Sequence, residues 1–438
     1  MSAAQDFTAG KLAVALAYAL GSGAVLYVLM LGGRRLVDRL KPSRAWIQAA
    51  TGAVMVLVAV AMIADLDLEF QDAIADDLPS VLVNPSGELE GSGAISDDLT
   101  AVRGGGDSTS EGGQSQAEEG KRLPVYGPAP DFVDTQQWFN TPGGRALSID
   151  GLTAQGKTVL IDFWTYTCIN CIRTLPYVEA WSEKYARDGL VVVGVHSPEF
   201  AFEKDAGNVE QAIADDGLTY PVVQDNELGT WNAFGNQYWP AKYLIDPDGN
   251  FRYVHFGEGD YDNTEAAIRS VLGESGDEKL GGQADPGAVE RADRDLRTPE
   301  TYLGEARAQG WVNGPRPGAV DYGSPPPADL QTNEFAYEGE WNVGGESARA
   351  GANAGVALGF QARRVFLVLG SPGEPREVEV LLDGKAISAA DAGDDVHDGV
   401  VTVDRQRLYR LVDLARAGRH RLELRIEPGV EGYAFTFG

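Results

Sequence analysis

The 438-residue sequence predicts a multidomain fold with two transmembrane helices, a middle α/β domain and a C-terminal antiparallel β-sandwich. Three observations indicate this architecture. Two long runs near the N-terminus carry no charged side chain, strand and helix patterns alternate in the middle of the chain, and short β-rich runs separated by Gly and Pro fill the C-terminal part. The length is about three times a typical domain of ~150 residues, which agrees with several folded units.

The two uncharged runs, residues 12–32 and 45–64, are each close to the ~20 residues that a helix needs to cross a bilayer. The connector between them is basic apart from Asp38, so the positive-inside rule places it in the cytoplasm. We therefore expect residues 1–64 to form a two-pass hairpin in the cell membrane, as the last helices of a larger polytopic unit, with the rest of the chain extracytoplasmic. A pair of buried core helices and a cleaved signal peptide are the alternative interpretations.

Two stretches of low complexity separate the predicted folded units. Residues 65–122 are acidic and rich in Gly and Ser, a composition that buries too little apolar surface to offset its chain entropy, so they predict a flexible linker. A second, Gly/Asp-rich linker is predicted at residues 276–297. The predicted domains are then residues 123–275 and 298–438.

Composition excludes several classes of function. The chain has 36 Lys and Arg against 65 Asp and Glu, a formal charge of −29, so it gains nothing from phosphate backbones and nucleic-acid binding is not expected. Apolar residues make up 43% of the chain, which excludes wholesale disorder. The 2 cysteines are too few for a disulfide-stapled scaffold or a four-cysteine zinc site, and we predict neither a metal nor a bound cofactor.

The middle domain alternates strand and helix patterns. TVLIDFW and LVVVGVH are continuous apolar runs of the kind buried in parallel sheets, and the segment DPDGN is typical of a hairpin turn. The pattern predicts an α/β domain with a mixed sheet. Its predicted strands are 158–164, 190–196, 241–245 and 251–255, and its predicted helices are 169–186, 206–214 and 263–272.

Cys168 and Cys171 follow the first of these strands directly and open a helix. Unpaired N–H groups and the macrodipole at a helix N-terminus favour negative charge, so this position stabilises a Cys168 thiolate. Two intervening residues bring Cys171 within disulfide reach. A purely structural disulfide is the alternative, although so short a loop restrains little chain entropy. A zinc site in which the two cysteines supply half of the ligands is a weaker alternative, because only His196 and His255 lie nearby in the sequence.

The segment IDFWTYTCINCIRTLP resembles the active-site segment of the thioredoxin fold. The resemblance places a buried acid at Asp162, an aromatic residue at Trp164 and the cis-proline loop at Pro240. HSPEFAFEKD, YWPAKYLID and VHFGEGDY are similar to the TlpA-like redoxin domain of the DipZ proteins. That family joins a CcdA-type membrane module, a thioredoxin-like α/β domain and a carbohydrate-binding-module-like sandwich, which implies the same parts here.

Thiol–disulfide exchange assigns a role to each matched residue. Cys168 attacks a substrate disulfide and Cys171 resolves the mixed disulfide, so the working group is a redox-active Cys168–Cys171 disulfide. Asp162 exchanges the proton of Cys171, unless it is only a solvated strand end, and a cis Pro240 leaves neighbouring backbone free for an extended substrate. The candidate substrate contacts are Trp164, Tyr166, Trp239 and Glu199. Packing is the alternative for the three aromatic residues, and a surface carboxylate for Glu199.

The resemblance implies a disulfide reductase that serves c-type cytochrome biogenesis or envelope thiols. Its partners are disulfide-bearing proteins and a CcdA-type membrane electron donor. Neither predicted span contains cysteine, so we expect that donor to be a separate chain. Two alternatives stay open: a disulfide-forming oxidase with the same residues, and a glycan-binding surface protein with a vestigial redoxin domain. Eight aromatic residues of the tail either stack on sugar or fill the core: Tyr302, Trp311, Tyr322, Phe335, Tyr337, Trp341, Tyr409 and Tyr433.

Overall fold

The computed structural model describes residues 122–275, 280–293, 295–314, 316, 318–323 and 325–438. The predicted spans at 12–32 and 45–64 and the linker at 65–121 lie outside these residues. Within the described part of the chain, no helix is both long enough and apolar enough to cross a bilayer.

The first half of the described chain is an α/β domain around a six-stranded mixed sheet, in the order β1-β4-β3-β2-β5-β6. Strand β2 pairs in parallel with β3 and antiparallel with β5, so it lies at the centre. The thioredoxin-like α/β domain with a mixed sheet is thereby confirmed. The strands are β1 (Trp138–Phe139), β2 (Thr158–Trp164), β3 (Leu190–His196), β4 (Val222–Gln224), β5 (Ala241–Ile245) and β6 (Phe251–Phe256).

Five α-helices cover this sheet. They are α1 (Ile149–Thr153), α2 (Ile169–Tyr185), α3 (Ala206–Asp215), α4 (Gly229–Ala233) and α5 (Tyr261–Ser275). The sequence patterns predict α2, α3 and α5 but miss α1 and α4, which are too short to show helical periodicity. They also miss β1 and β4, because two or three residues give no alternation to detect.

The alternation of side chains along β2 decides which residues lie under α2. Val159, Ile161 and Phe163 pack into the core on one face of the sheet, whereas Leu160 and Trp164 pack on the other with Leu175 and Val178 of α2. Because side chains alternate along a strand, Asp162 points to the α2 face. The same alternation along β5 puts Lys242 on that face, opposite Asp162 in the strand register.

The C-terminal part is a large antiparallel sheet of twelve strands, of which nine follow one hydrogen-bonded order and three pair beside it. Its strands are β7 (Thr301–Tyr302), β8 (Gly318–Asp321), β9 (Phe335–Glu338), β10 (Glu340–Val343), β11 (Ala348–Ala350), β12 (Ala354–Gly370), β13 (Arg376–Leu382), β14 (Lys385–Ala386), β15 (Val396–His397), β16 (Val400–Val403), β17 (Arg407–Ile426) and β18 (Glu431–Phe437). We call this part the sheet region.

Two strands are far longer than the sequence predicts. Among the short β-rich runs of the sequence, 364–369 and 421–426 cover only the ends of β12, with 17 residues, and β17, with 20. The two strands pair along almost their whole length, and their register shifts between Ala362 and Arg364. Residues on both sides of this shift, such as Phe360 and Leu367, share one apolar core. The polar residues around the shift interrupt the apolar pattern, which is why it predicts shorter strands.

The sheet region packs directly against the α/β domain. Ile169 and Phe200 of the α/β domain share an apolar cluster with Phe366, Leu408 and Tyr433 of the sheet region. The segment predicted as a linker, 276–297, also contacts both parts where it is described. The Ala284 N–H donates to the Glu265 carboxylate at 2.6 Å, and Glu290 pairs with Arg364 and Arg410 at 2.9 and 2.7 Å.

Candidate active site

The two cysteines occupy the first turn of α2 and carry free thiols. Cys168 is the N-cap residue, and the backbone N–H of Cys171 donates to its Sγ at 3.3 Å. Cys168 is half-buried, whereas Cys171 is only 1% exposed. The sulfur nearer the helix N-terminus is therefore the one that a substrate can reach, and the second lies behind it.

A buried pair of opposite charges lies on the same face of the sheet. Asp162 Oδ1 is 3.9 Å from Lys242 Nζ, and both side chains are fully buried. That distance is too long for a hydrogen bond. Asp162 is thus not a solvated strand end, and sequence reasoning missed its partner. The available signal was a charged residue at the second position of the buried strand AKYLI.

Burial controls the protonation of these groups. It raises the pKa of Asp162 to about 6, and the Lys242 charge opposes that rise. Burial also lowers the pKa of Lys242 and raises the pKa of the Cys171 thiol well above its ordinary value. The hydrogen bond with Cys168 and the Asp162 charge add to the effect on Cys171. Cys171 therefore stays a thiol until a base removes its proton.

The loop before β5 lies beside the cysteines. The Trp239–Pro240 peptide bond is cis, and Trp239 lines the same cleft as Cys168. The indole Nε1 of Trp239 donates to the Ser197 carbonyl at 2.9 Å, which orients the ring. Within the described residues, the backbone N–H and C=O of Trp239 have no hydrogen-bond partner. They are available to an extended chain laid beside Cys168.

The cleft around Cys168 has walls from both parts of the molecule, and we call it the active-site cleft. Its volume is about 300 Å³. One wall contains Cys168, Ile169, Asn170, Glu199 and Trp239 of the α/β domain; the other contains Leu296, Thr298, Pro299, Glu300, Tyr302, Arg307, Thr436 and Phe437. Nothing in the local sequence around the cysteines predicts the second wall, because it arises from packing between distant segments.

A second buried carboxylate, that of Glu203, holds the segment that carries Glu199 beside the active-site turn. One oxygen of Glu203 accepts from the Thr167 hydroxyl at 2.6 Å, and the other accepts from the N–H groups of Glu199 and Phe200 at 2.6 and 3.0 Å. Burial raises its pKa to about 7. Because Thr167 precedes Cys168, Glu203 connects the active-site turn to the segment that carries Glu199. Sequence reasoning missed this residue as well.

Four substrate contacts were predicted, and the structure separates them. Trp239 and Glu199 line the active-site cleft. Trp164 and Tyr166 do not fit that prediction, because their side chains are 0% and 6% exposed. The Trp164 indole packs over Gly194, where an added Cβ would lie 3.0 Å from Nε1, and Tyr166 stacks on His196. These two residues belong to the core.

Glu199 is also not the free surface carboxylate considered in the sequence. Its side chain is 10% exposed, and its Oε1 accepts from Arg307 Nη1 at 2.7 Å and from the Tyr302 hydroxyl at 2.8 Å. Both partners belong to the sheet region. Glu199 therefore joins the two walls of the cleft.

The remaining sequence alternatives concern metal and sugar. The described residues contain no cluster of three or more His, Cys, Asp or Glu that could hold a metal ion. His196 is fully buried, and burial lowers its pKa to about 3. None of the eight aromatic residues considered for sugar stacking is exposed: Phe335, Tyr337, Trp341, Tyr409 and Tyr433 are buried, and Tyr302, Trp311 and Tyr322 are half-buried.

The chain is similar to two protein families and to several known proteins. A family model described as Redoxin matches residues 125–272, and one described as Thioredoxin like C-terminal domain matches residues 298–438. Thiol-disulfide oxidoreductase YkuV of Bacillus subtilis is 30% identical over 148 residues, which is 34% of this chain and 96% of YkuV. A solved thioredoxin-like protein in the oxidized form is 29% identical, with a TM-score of 0.31, and covers 35% of this chain and 98% of its own.

A longer match extends beyond the α/β domain. Protein DipZ of Mycobacterium bovis is 35% identical over 439 residues, which cover 98% of this chain. The chain spans 59% of the length of that relative. The similarity therefore includes the dithiol site, the sheet region and the N-terminal residues that lie outside the described structure.

Proposed function

Because the chain belongs to the thioredoxin-like thiol–disulfide oxidoreductases and is a DipZ homologue over 98% of its length, we propose that it is a membrane-anchored disulfide reductase. The observation that carries the proposal is the inequality of the two thiols. Cys168 opens into the active-site cleft at a helix N-terminus, whereas Cys171 is buried behind it with a raised pKa. A nucleophile that substrate can reach, backed by a protonated resolving thiol, is the arrangement that disulfide reduction needs.

The reaction proceeds in two exchanges. The Cys168 thiolate attacks one sulfur of the substrate disulfide, which forms a mixed disulfide and releases the other substrate sulfur as a thiolate. Cys171 then loses its proton and attacks Cys168 Sγ, which releases the second substrate sulfur and leaves a Cys168–Cys171 disulfide. The substrate gains two electrons and the dithiol loses them. No metal or organic cofactor takes part in either step.

Asp162 is the proposed base for the second step. With a pKa of about 6 it is largely ionised at neutral pH, and its charge already acts on Cys171. Lys242 holds that carboxylate in its ionised form inside the core. Trp239 contributes its free backbone groups, which pair with an extended substrate segment next to the attacked disulfide.

The proposed location is the extracytoplasmic face of the cell membrane, with residues 1–64 as the anchor. Support comes from the two uncharged runs, the basic connector between them and the similarity to DipZ. The proposed electron source is a CcdA-type membrane donor on a separate chain, and the proposed clients are c-type apocytochromes or misoxidised envelope proteins. In intact cells, a maleimide that cannot cross the membrane should label reduced Cys168 when it is added from outside.

A measured reduction potential tests the direction of electron flow. We expect the Cys168–Cys171 couple to equilibrate well below the glutathione range of roughly −220 to −260 mV. A potential of about −120 mV would contradict the reductase and favour a disulfide-forming oxidase. The Cys168→Ser variant should lose all disulfide reduction, with Cys171→Ser as the comparison that traps substrate on Cys168. If cells carrying Cys168→Ser retained the whole cellular function of the protein, the glycan-binding alternative would be the better account.

A further inference from the structure

The second wall of the active-site cleft carries its own charged groups. Arg307 pairs with Glu199 at 2.7 Å, and its guanidinium lies 3.8 Å above the Tyr302 ring. The Tyr302 hydroxyl lies 2.8 Å from Glu199 and 2.6 Å from Glu300. One hydroxyl proton cannot serve both carboxylates at once. Glu199 has the arginine as a second donor, whereas Glu300 has no other hydrogen-bond or ion-pair partner within the described residues.

Glu300 is thus the cleft carboxylate that has no ion-pair partner within the described residues. The residue as a whole is exposed at the cleft, but burial of its carboxyl group and then the neighbouring Glu199 charge raise its pKa to about 7, against the opposing effects of Tyr302 and Arg307. Two carboxylates and one guanidinium give the cleft a net negative charge above that pH. A cationic group placed beside Cys168 would relieve the repulsion between Glu199 and Glu300.

We propose that Glu300, positioned by Tyr302, selects disulfides that have a cationic side chain next to them in the polypeptide. This inference rests on the proposed disulfide reductase and assigns the sheet region a part in choosing its substrate. Trp239 contacts the substrate backbone from one wall, and Glu300 contacts the neighbouring side chain from the other. The sheet region is then a component of the oxidoreductase site, because it supplies the residues that face Cys168 across the cleft.

Two matched peptides test the proposal. Each carries one disulfide, and they differ only in a Lys or a Glu beside it. The pre-reduced full-length protein in detergent is mixed with each peptide at pH 8, and the rate constant for a single turnover is measured. We expect wild type to favour the Lys peptide, and Glu300→Gln to reduce that preference about two- to fivefold, which is the effect of one partly exposed ion pair. The remaining preference should also fall with added salt.

The overall charge of −29 would attract a cationic peptide wherever it bound, so a second variant removes the same charge elsewhere. Glu374 is exposed and does not line the cleft, and we expect Glu374→Gln to keep the wild-type preference. Equal loss of preference in both variants would overturn the assignment of Glu300, as would equal rates for the two peptides with wild type. Failure to reduce either peptide would instead count against the proposed reductase itself.

Discussion

The Asp162 carboxylate lies 3.9 Å from the Lys242 ammonium, directly across the β2–β5 pairing, and neither side chain has any exposed surface. Within the described residues neither group has a hydrogen-bond partner. Each is the main charge partner of the other, at a place where burial disfavours both charged forms. A buried pair of this kind costs stability. The proposed proton transfer to and from Cys171 would explain why the pair lies under α2.

Removing the cation alone should destabilise the fold in a pH-dependent way. The pKa of Asp162 in the folded protein, about 6, lies above its ordinary value of 3.8. The free energy of unfolding therefore falls as the pH rises from 3.8 to about 6. We expect Lys242→Met to lower the free energy of unfolding by roughly 3–5 kcal/mol at pH 8. The loss should be smaller at pH 5, where Asp162 is largely protonated. Urea unfolding at both pH values measures the two losses.

The double variant is the control for that experiment. Asp162→Asn combined with Lys242→Met removes both charges, and we expect it to recover most of the stability lost in Lys242→Met. Replacing a buried pair by neutral residues of similar volume is often neutral or stabilising. If Lys242→Met lost the same free energy of unfolding at pH 5 and at pH 8, the lysine would stabilise the fold through its packing, and the ion pair would contribute nothing.

Catalysis should depend on Asp162 with a recognisable pH profile. If its carboxylate accepts the Cys171 proton, release of the second substrate sulfur accelerates between pH 5 and pH 7, as Asp162 ionises. In Asp162→Asn we expect that rise to disappear and release at pH 7 to slow on the order of 10²-fold. Quenched-flow samples on a non-reducing gel would show the mixed disulfide accumulating. Asp188→Asn, an exposed residue beyond the end of α2, should behave as wild type.

The site shows what a sequence can and cannot predict. The apolar run TVLIDFW predicts β2, and the strand-to-helix junction predicts that Cys168 opens α2, because both depend on local pattern. Trp164 is misassigned to the substrate surface, because alternation identifies the face on which it lies but not what covers that face. Lys242 and Tyr302 lie in strands that are distant from the cysteines along the chain. Their approach to the cysteines is a property of the packed molecule, so no local spacing encodes it.

Contact between the sheet region and the α/β domain should be visible in the stability of a residue between the two cysteines. Ile169 is 4% exposed and packs with Phe200, Phe366 and Tyr433. We expect Ile169→Ala to cost about 2–4 kcal/mol in urea unfolding of the reduced protein, since it leaves a cavity between the two parts. Val312→Ala, at a residue 47% exposed, should change stability by less than about 0.5 kcal/mol. Similar small effects for both would mean that the cluster contributes little.

Glu203 allows a test of how the segment carrying Glu199 is held. In Glu203→Gln, the amide oxygen can accept from the N–H groups of Glu199 and Phe200, while its NH₂ donates to the Thr167 hydroxyl. Glu203→Ala removes the acceptors for all three donors. We therefore expect the alanine variant to lose roughly 1–3 kcal/mol or more at every pH, and the glutamine variant to keep the fold.

The pH dependence separates a charge at this position from a hydrogen-bond acceptor. Burial raises the Glu203 pKa from 4.5 to about 7, so ionisation costs the folded protein stability as pH rises from about 4.5 to 7. That cost is at most on the order of 3 kcal/mol. Glutamine does not ionise, so Glu203→Gln should gain on wild type by up to this amount between pH 5 and pH 8. A constant difference across that range would mean that Glu203 ionises as readily in the folded chain as in water, and its buried hydrogen bonds would then have to stabilise the charged form fully.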